Sequence, residues 1–405
     1  MPASPTLATQ TATRATPQLD PALLAPVRQR ERLVSLDVFR GLTVAGMLLV
    51  NNPGSWNAIY PPLEHAAWHG WTPTDLIFPF FLFIVGITTH LSLSARRERG
   101  DDERALLTQI LRRTVLIVLA GYLLAMFPYY PLTRITGVRI PGVLQRIGVA
   151  YGVSALLTFR TTLRQQVLIV VGLLYGYWFA ITLLPVPGAG GGIGATLLDD
   201  PSRTLGAWLD RTVLGGHLWV GSKTWDPEGI LSTVPAVGTA MLGVIAGRWL
   251  SSSRPLSERL AALFAAGAIG MMTGLMWHWS LPINKGLWTS SYVVFTAGMA
   301  CVTLATISWV IDVMGVTWWT RPLVIYGMNP LVAFVGSGMM ARTIYTLWKV
   351  EYGGQVVPVE AAIYQSVFAS WLEPRNASLA FAVCFVLTWY GILWVLWRRK
   401  IFLKV

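Results

Sequence analysis

The segment 63–75 places Glu64, His65, His69 and Asp75 in one short stretch of a chain that has only five histidines. An imidazole titrates near neutrality, with an ordinary pKa of about 6.5, so it can take a proton from a substrate as a general base. The same ring can itself act as a nucleophile. A nearby carboxylate can hold the second ring nitrogen or bind a cationic substrate. The stretch lies between two apolar runs, 35–51 and 75–94, and Asn51 ends the first of them. A connection between membrane spans has little reason to carry titratable groups unless chemistry or a ligand needs them.

The elements that position these groups follow from composition. Over 405 residues the chain is 54% apolar and only 12% charged, with a mean hydropathy of +0.54. Soluble chains carry roughly 25% charge, so lipid is the expected solvent. Ten runs have the length and apolarity to cross a bilayer: 35–51, 75–94, 112–128, 142–159, 166–185, 231–250, 259–280, 289–311, 322–341 and 378–397. The expected fold is an all-α, polytopic transmembrane helix bundle of 10–11 spans over residues 33–405. The amphipathic stretch 360–373 is the eleventh candidate, or an interfacial or re-entrant helix. Residues 1–32, rich in Pro, Thr, Ala and Gln, read as a disordered cytoplasmic tail rather than a signal peptide.

A net charge of +12 would suggest nucleic acid in a soluble chain. Here the basic residues lie between spans and set orientation, so no nucleic-acid partner is expected. With the N-terminus in the cytoplasm, cytoplasmic segments hold 20 Lys+Arg and outer segments 9, with Arg40 and Arg146 inside spans. That bias obeys the positive-inside rule and returns Arg398-Arg399-Lys400 to the cytoplasm. Cys301 and Cys384 fall within spans and read as packing residues. There is no metal-ligand spacing, so no metal is expected. The glycine-rich run 188–194 lacks the Lys-Ser/Thr of a phosphate loop and reads as a linker.

Polar side chains in or beside spans are expensive, which makes their positions informative. Asn51, His65, His69, Asp75, Gln145, Arg146, Glu228, Asn284 and Lys285 all fall near one height, at the outer surface. A smaller set, Asp37, Arg40, Arg321 and Asn329, lies toward the inner end. Plainer roles exist for each: Asp37 and Arg40 neutralise one another, and Arg146 pairs with Asp75 or Glu228. Likewise Asp226-Pro227-Glu228-Gly229 is a turn and helix start, and Asn284-Lys285 an interfacial turn. His90 and His217 read as surface residues, His278 as part of an aromatic belt, and His69 as a substrate contact or an exposed loop residue.

Several blocks resemble the heparan-α-glucosaminide N-acetyltransferase family of membrane acyltransferases. They are Ser35-Leu36-Asp37-Val38-Phe39-Arg40-Gly41, Val50-Asn51, His65-Ala66-Ala67-Trp68-His69-Gly70-Trp71-Thr72 and Asp75-Leu76-Ile77-Phe78-Pro79. Pro141–Val149, Asp226–Leu231, Leu281–Trp288 and Tyr326–Asn329 follow in order. The resemblance implies that His65 is catalytic and that Asn51 assists it. It implies acetyl transfer from cytoplasmic acetyl-CoA to a glucosamine-type amino sugar or glycan on the far side of the membrane, and a homodimer. The chain resembles the shorter bacterial members of that family, which makes a bacterial inner membrane the expected location, with both termini cytoplasmic. Asp75, Gln145, Arg146, Glu228, Asn284, Lys285 and His69 are then candidates for support or substrate binding. Arg40, Arg321 and Asn329 are candidates for CoA. His65 suits direct transfer or a ping-pong relay equally. An O-acetyltransferase of an envelope glycan is the nearest alternative enzyme, and a sugar transporter the rival class, although no internal repeat of the transporter kind is visible.

Overall fold

The apolar runs fold as helices because no water reaches a bilayer interior, and a helix satisfies its backbone groups within one segment. The computed structural model describes residues 33–130 and 137–403; the tail expected over 1–32 lies outside them. Among the described residues eight helices are long and apolar enough to cross a membrane. They are α1 (Val34–Asn51), α2 (Ile77–Glu98, entered through a 3-10 turn Pro73–Leu76), α3 (Glu103–Met126), α5 (Leu163–Leu183), α7 (Ile230–Leu250), α8 (Leu256–Trp277), α9 (Ser290–Ser308) and α13 (Pro374–Arg398). Local chemistry sets several of the ends. Asp102 caps α3, Thr162 and Gln165 form a reciprocal cap on α5, and Glu373 with Pro374 opens α13.

Two more expected segments are helical in modified form. The helix α4 (Val143–Arg160) carries Gln145, Arg146 and Arg160, which lower its apolarity, and most of its residues are buried. The expected straight span 322–341 is instead broken into α10 (Thr320–Met328) and α11 (Pro330–Arg342), and the pair bends by 83°. Pro330 supplies no N–H and pushes the residue before it out of the helical region; Asn329 has φ −129° and ψ 53°. Elsewhere, α6 (Leu205–Leu214) is a short helix in the long connection before α7. The candidate eleventh span also resolves differently. The strands β1 (Lys349–Tyr352) and β2 (Gln355–Pro358) form a hairpin turning at Gly353-Gly354, followed by α12 (Val359–Ile363) and a wide turn Tyr364–Phe368. Nothing there is long enough to cross a bilayer.

Hydrogen bonds sort the connections into two ends. Gly70 N–H donates to Ile283 O at 2.8 Å, Ile140 N–H to His217 O at 3.0 Å, and the Tyr345 hydroxyl to Pro53 O at 2.8 Å. These contacts gather the long connections at one end. At the other, Arg160 pairs with Glu103 at 3.1 Å and Ser308 bonds Ser35 at 2.8 Å. Successive spans therefore alternate in direction. At the centre α2 crosses α7 at very short range. A Cβ on Gly86 would stand 1.9 Å from Ala240 O, and one on Gly243 would stand 2.0 Å from Phe83 O. Small residues at a crossing let backbones approach this closely in lipid. The outer helices α3 and α8 expose Leu119, Leu123, Ile269 and Met272, the apolar rim that hydrocarbon requires.

Candidate active site

The turn that begins α2 builds the site. Thr72 caps it reciprocally with Asp75, whose Oδ2 accepts the N–H groups of Ala66 and Thr72, both at 3.0 Å. Thus fixed and only 1% exposed, Asp75 turns Oδ1 toward His65 Nδ1 at 2.7 Å. An ionised carboxylate only accepts, so Nδ1 carries the proton and the lone pair of Nε2 is left for chemistry. The His65 side chain is 50% exposed, open to an incoming molecule. Lys285 Nζ lies 3.3 Å from Asp75 Oδ1, 3.1 Å from His65 Nδ1 and 3.5 Å from His65 Nε2. Similar distances to both ring nitrogens place the ammonium against the ring, not on the axis of one lone pair. Burial pulls the Lys285 pKa below its ordinary value, while the charges of Asp75 and Glu228 work to hold it up.

Lys285 belongs to a tripeptide whose three residues face three different groups. Asn284, fully buried, donates from Nδ2 to Trp68 O at 3.0 Å and lies 3.2 Å from His69 Nδ1; its Oδ1 accepts from Leu287 N–H at 2.8 Å. His69 Nε2 in turn meets Asp199 Oδ1 at 2.9 Å. His69 is therefore held at both nitrogens rather than standing alone in the loop. Gly286 supports two indoles: a Cβ there would come within 2.9 Å of the Trp68 ring and 3.2 Å of the Trp225 ring.

A second cluster closes the same end. Arg139 donates from Nε to Asp226 Oδ2 at 2.8 Å, and its Nη2 contacts both Asp226 and Glu228. The two carboxylates hold the Arg139 pKa above its usual value despite burial, which alone would lower it. Asp226 also accepts Trp219 N–H and Glu228 N–H, each at 2.9 Å. Arg139 was absent from the sequence-derived candidates; its only signal was being one of few cations in the outer connections. Arg146 makes an ion pair with neither Asp75 nor Glu228. Its Nη2 donates to Ser232 and Gly229, and its guanidinium lies over Trp288, 5.0 Å from the ring centroid.

The remaining candidates disperse. Gln145 packs against Gly121 and Gly142. Asn51 ends α1 exposed, without a hydrogen bond to His65 among the described residues, while the neighbouring Asn52 turns inward onto Leu48 O at 2.8 Å. At the other end Arg40 pairs with Asp37 at 2.5 Å, and Arg321 lies over Trp397, 5.2 Å from the ring centroid. Asn329, 1% exposed, donates to Ile401 O and accepts from Leu403 N–H, both at 3.1 Å.

A helical bundle of membrane-spanning segments, with an imidazole, a carboxylate and an ammonium gathered at one end, is the class that fold and site define. Residues 32–284 match the family described as "Heparan-alpha-glucosaminide N-acetyltransferase, catalytic". Two relatives named heparan-alpha-glucosaminide N-acetyltransferase, from Homo sapiens and Mus musculus, are 32% and 31% identical to the chain over 92% of its length. The chain belongs to the heparan-alpha-glucosaminide N-acetyltransferase family. It spans 60% of the length of those relatives.

Proposed function

We propose that this chain transfers the acetyl group of acetyl-CoA to the amine of a glucosamine-type sugar, with His65 as general base. The observation that carries this reading is the 2.7 Å contact of His65 Nδ1 with buried Asp75, which directs the Nε2 lone pair to an exposed face. The acceptor nitrogen attacks the thioester carbonyl carbon and yields its proton to Nε2. The carbonyl electron pair moves onto oxygen beside the Lys285 ammonium, then returns as the C–S bond breaks. The imidazolium returns its proton to the departing thiolate. A ping-pong relay through an acetyl-imidazole uses the same lone pair; release of free CoA before any acceptor is added would distinguish it.

In this proposal the long-connection end faces away from the cytoplasm and the arginine-rich end faces it. CoA phosphates cannot cross roughly 30 Å of hydrocarbon, so the nucleotide stays at the inner end near Arg40, Arg321 and Asn329 while the thin pantetheine arm reaches inward. Asn51 assists His65, and Asp75, Gln145, Arg146, Glu228, Asn284 and His69 support the site. Both termini lie in the cytoplasm, the membrane is a bacterial inner membrane, and the protein is a homodimer. Purified protein in liposomes, given radiolabelled acetyl-CoA and glucosamine, should form N-acetylglucosamine, and His65→Ala should reduce the rate to background. Labelling of an envelope glycan hydroxyl instead, or sugar counterflow indifferent to His65→Ala, would overturn this reading.

A further inference from the structure

Beside His65 the structure holds an arrangement of indoles that proton transfer does not use. Trp225 meets Trp68 at 76° with ring centroids 5.2 Å apart, and meets Trp219 at 74° and 6.0 Å. Two rings nearly perpendicular to a third form a corner rather than a flat stack. Its position is fixed from several sides. Trp68 donates its indole N–H to Leu198 O at 2.8 Å, and the backbone N–H of Trp225 donates to the Ser222 hydroxyl at 3.3 Å. Asp226, the next residue, is clamped by Arg139. Gly286 lets Trp68 and Trp225 close over the backbone one residue from Lys285, whose Nζ is against the His65 ring. The indole N–H groups of Trp219 and Trp225 donate to no acceptor among the described residues, and Trp219 is 41% exposed.

From this geometry we infer that Trp225, flanked by Trp68 and Trp219, forms the acceptor subsite, and that its occupant is a single hexosamine ring. This rests on the proposed acetyl transfer and specifies where the acceptor binds. A pyranose presents an apolar C–H face that suits an indole, and an amino sugar adds an ammonium that is attracted to the electron-rich face of tryptophan. Sugar hydroxyls can accept from the two unengaged indole N–H groups. A ring seated in this corner lies against Gly286, the residue after Lys285; its ammonium gives one proton to solvent, and the resulting amine attacks and yields a second to His65 Nε2.

The test measures binding as well as turnover. Saturation-transfer NMR on detergent-solubilised protein should show transfer to the ring C–H protons of glucosamine, lost in Trp225→Ala and retained in Trp225→Phe. In steady state Trp225→Ala should raise the glucosamine KM about tenfold or more and leave the acetyl-CoA KM unchanged, with Trp225→Phe recovering most of the loss. Trp219→Ala, at the more exposed ring, gives a weaker version of the same effect and guards against misfolding of Trp225→Ala. If the wild type acetylates glucosamine and both alanine variants keep its KM, the subsite is wrong and the acetyl transfer stands. If no amino sugar is acetylated, the functional reading fails, and the NMR comparison still decides whether these indoles hold the sugar.

Discussion

At the scale of single residues, what distinguishes His65 is that its tautomer is imposed. Asp75 accepts from Nδ1 while two backbone N–H groups hold its other oxygen, so the ring cannot exchange its nitrogens without losing a buried bond. Asp75→Asn leaves the shape intact but allows the opposite tautomer. Its kcat should fall about 10²–10⁴-fold, with little change in the acetyl-CoA KM; an unchanged kcat would remove Asp75 from the machinery. The grouping of His65, Asp75, Asn284 and Lys285 was legible in the sequence because each lies in or beside a connection at one end of predicted spans, and alternation brings those ends together. Arg139 was not legible. Its partners are 87 and 89 residues away, and loop residues have no periodicity to reveal which side they face.

Among the elements, helices were easier to read than their joints. Ten apolar runs became helices because length and apolarity in lipid leave few alternatives. The break at Pro330 could have been anticipated from proline chemistry, but nothing in the residue pattern specifies its 83° angle. The β1–β2 hairpin was missed because its strands are only four residues each, too short for an alternating pattern to stand out in the connection before 360–373. The long connection before α7 is secured by Arg139, whose removal leaves buried Asp226 and the mostly buried Glu228 without their cation. Arg139→Ala should destabilise this end by about 3–5 kcal/mol, seen as a lower Tm in detergent and faster proteolysis within 184–229. A Tm equal to the wild type would mean that the cluster contributes nothing to holding the connection.

Across the whole molecule, pH and topology each offer a test. Burial raises Asp210, in α6, to about 6 from an ordinary carboxyl near 3.8. Between those values the folded chain keeps a proton that the unfolded chain has lost, so this group's contribution to stability falls as pH rises through about 4–6. Asp210→Asn should flatten that slope, read as Tm against pH relative to the wild type; parallel curves would exclude the effect. For topology, Trp56→Cys places a thiol at a 62% exposed position in the connection carrying His65. With Cys301 and Cys384 replaced by serine, an impermeant maleimide should label it on intact cells, and labelling only after lysis would reverse the proposed orientation. The grip of Asn329 on Ile401 and Leu403 reaches 72 and 74 residues ahead in the chain. While the protein is being synthesised that rivet has nothing to fasten to until residues 401–403 have emerged, so the elbow between α10 and α11 locks well after its own helices have left the ribosome.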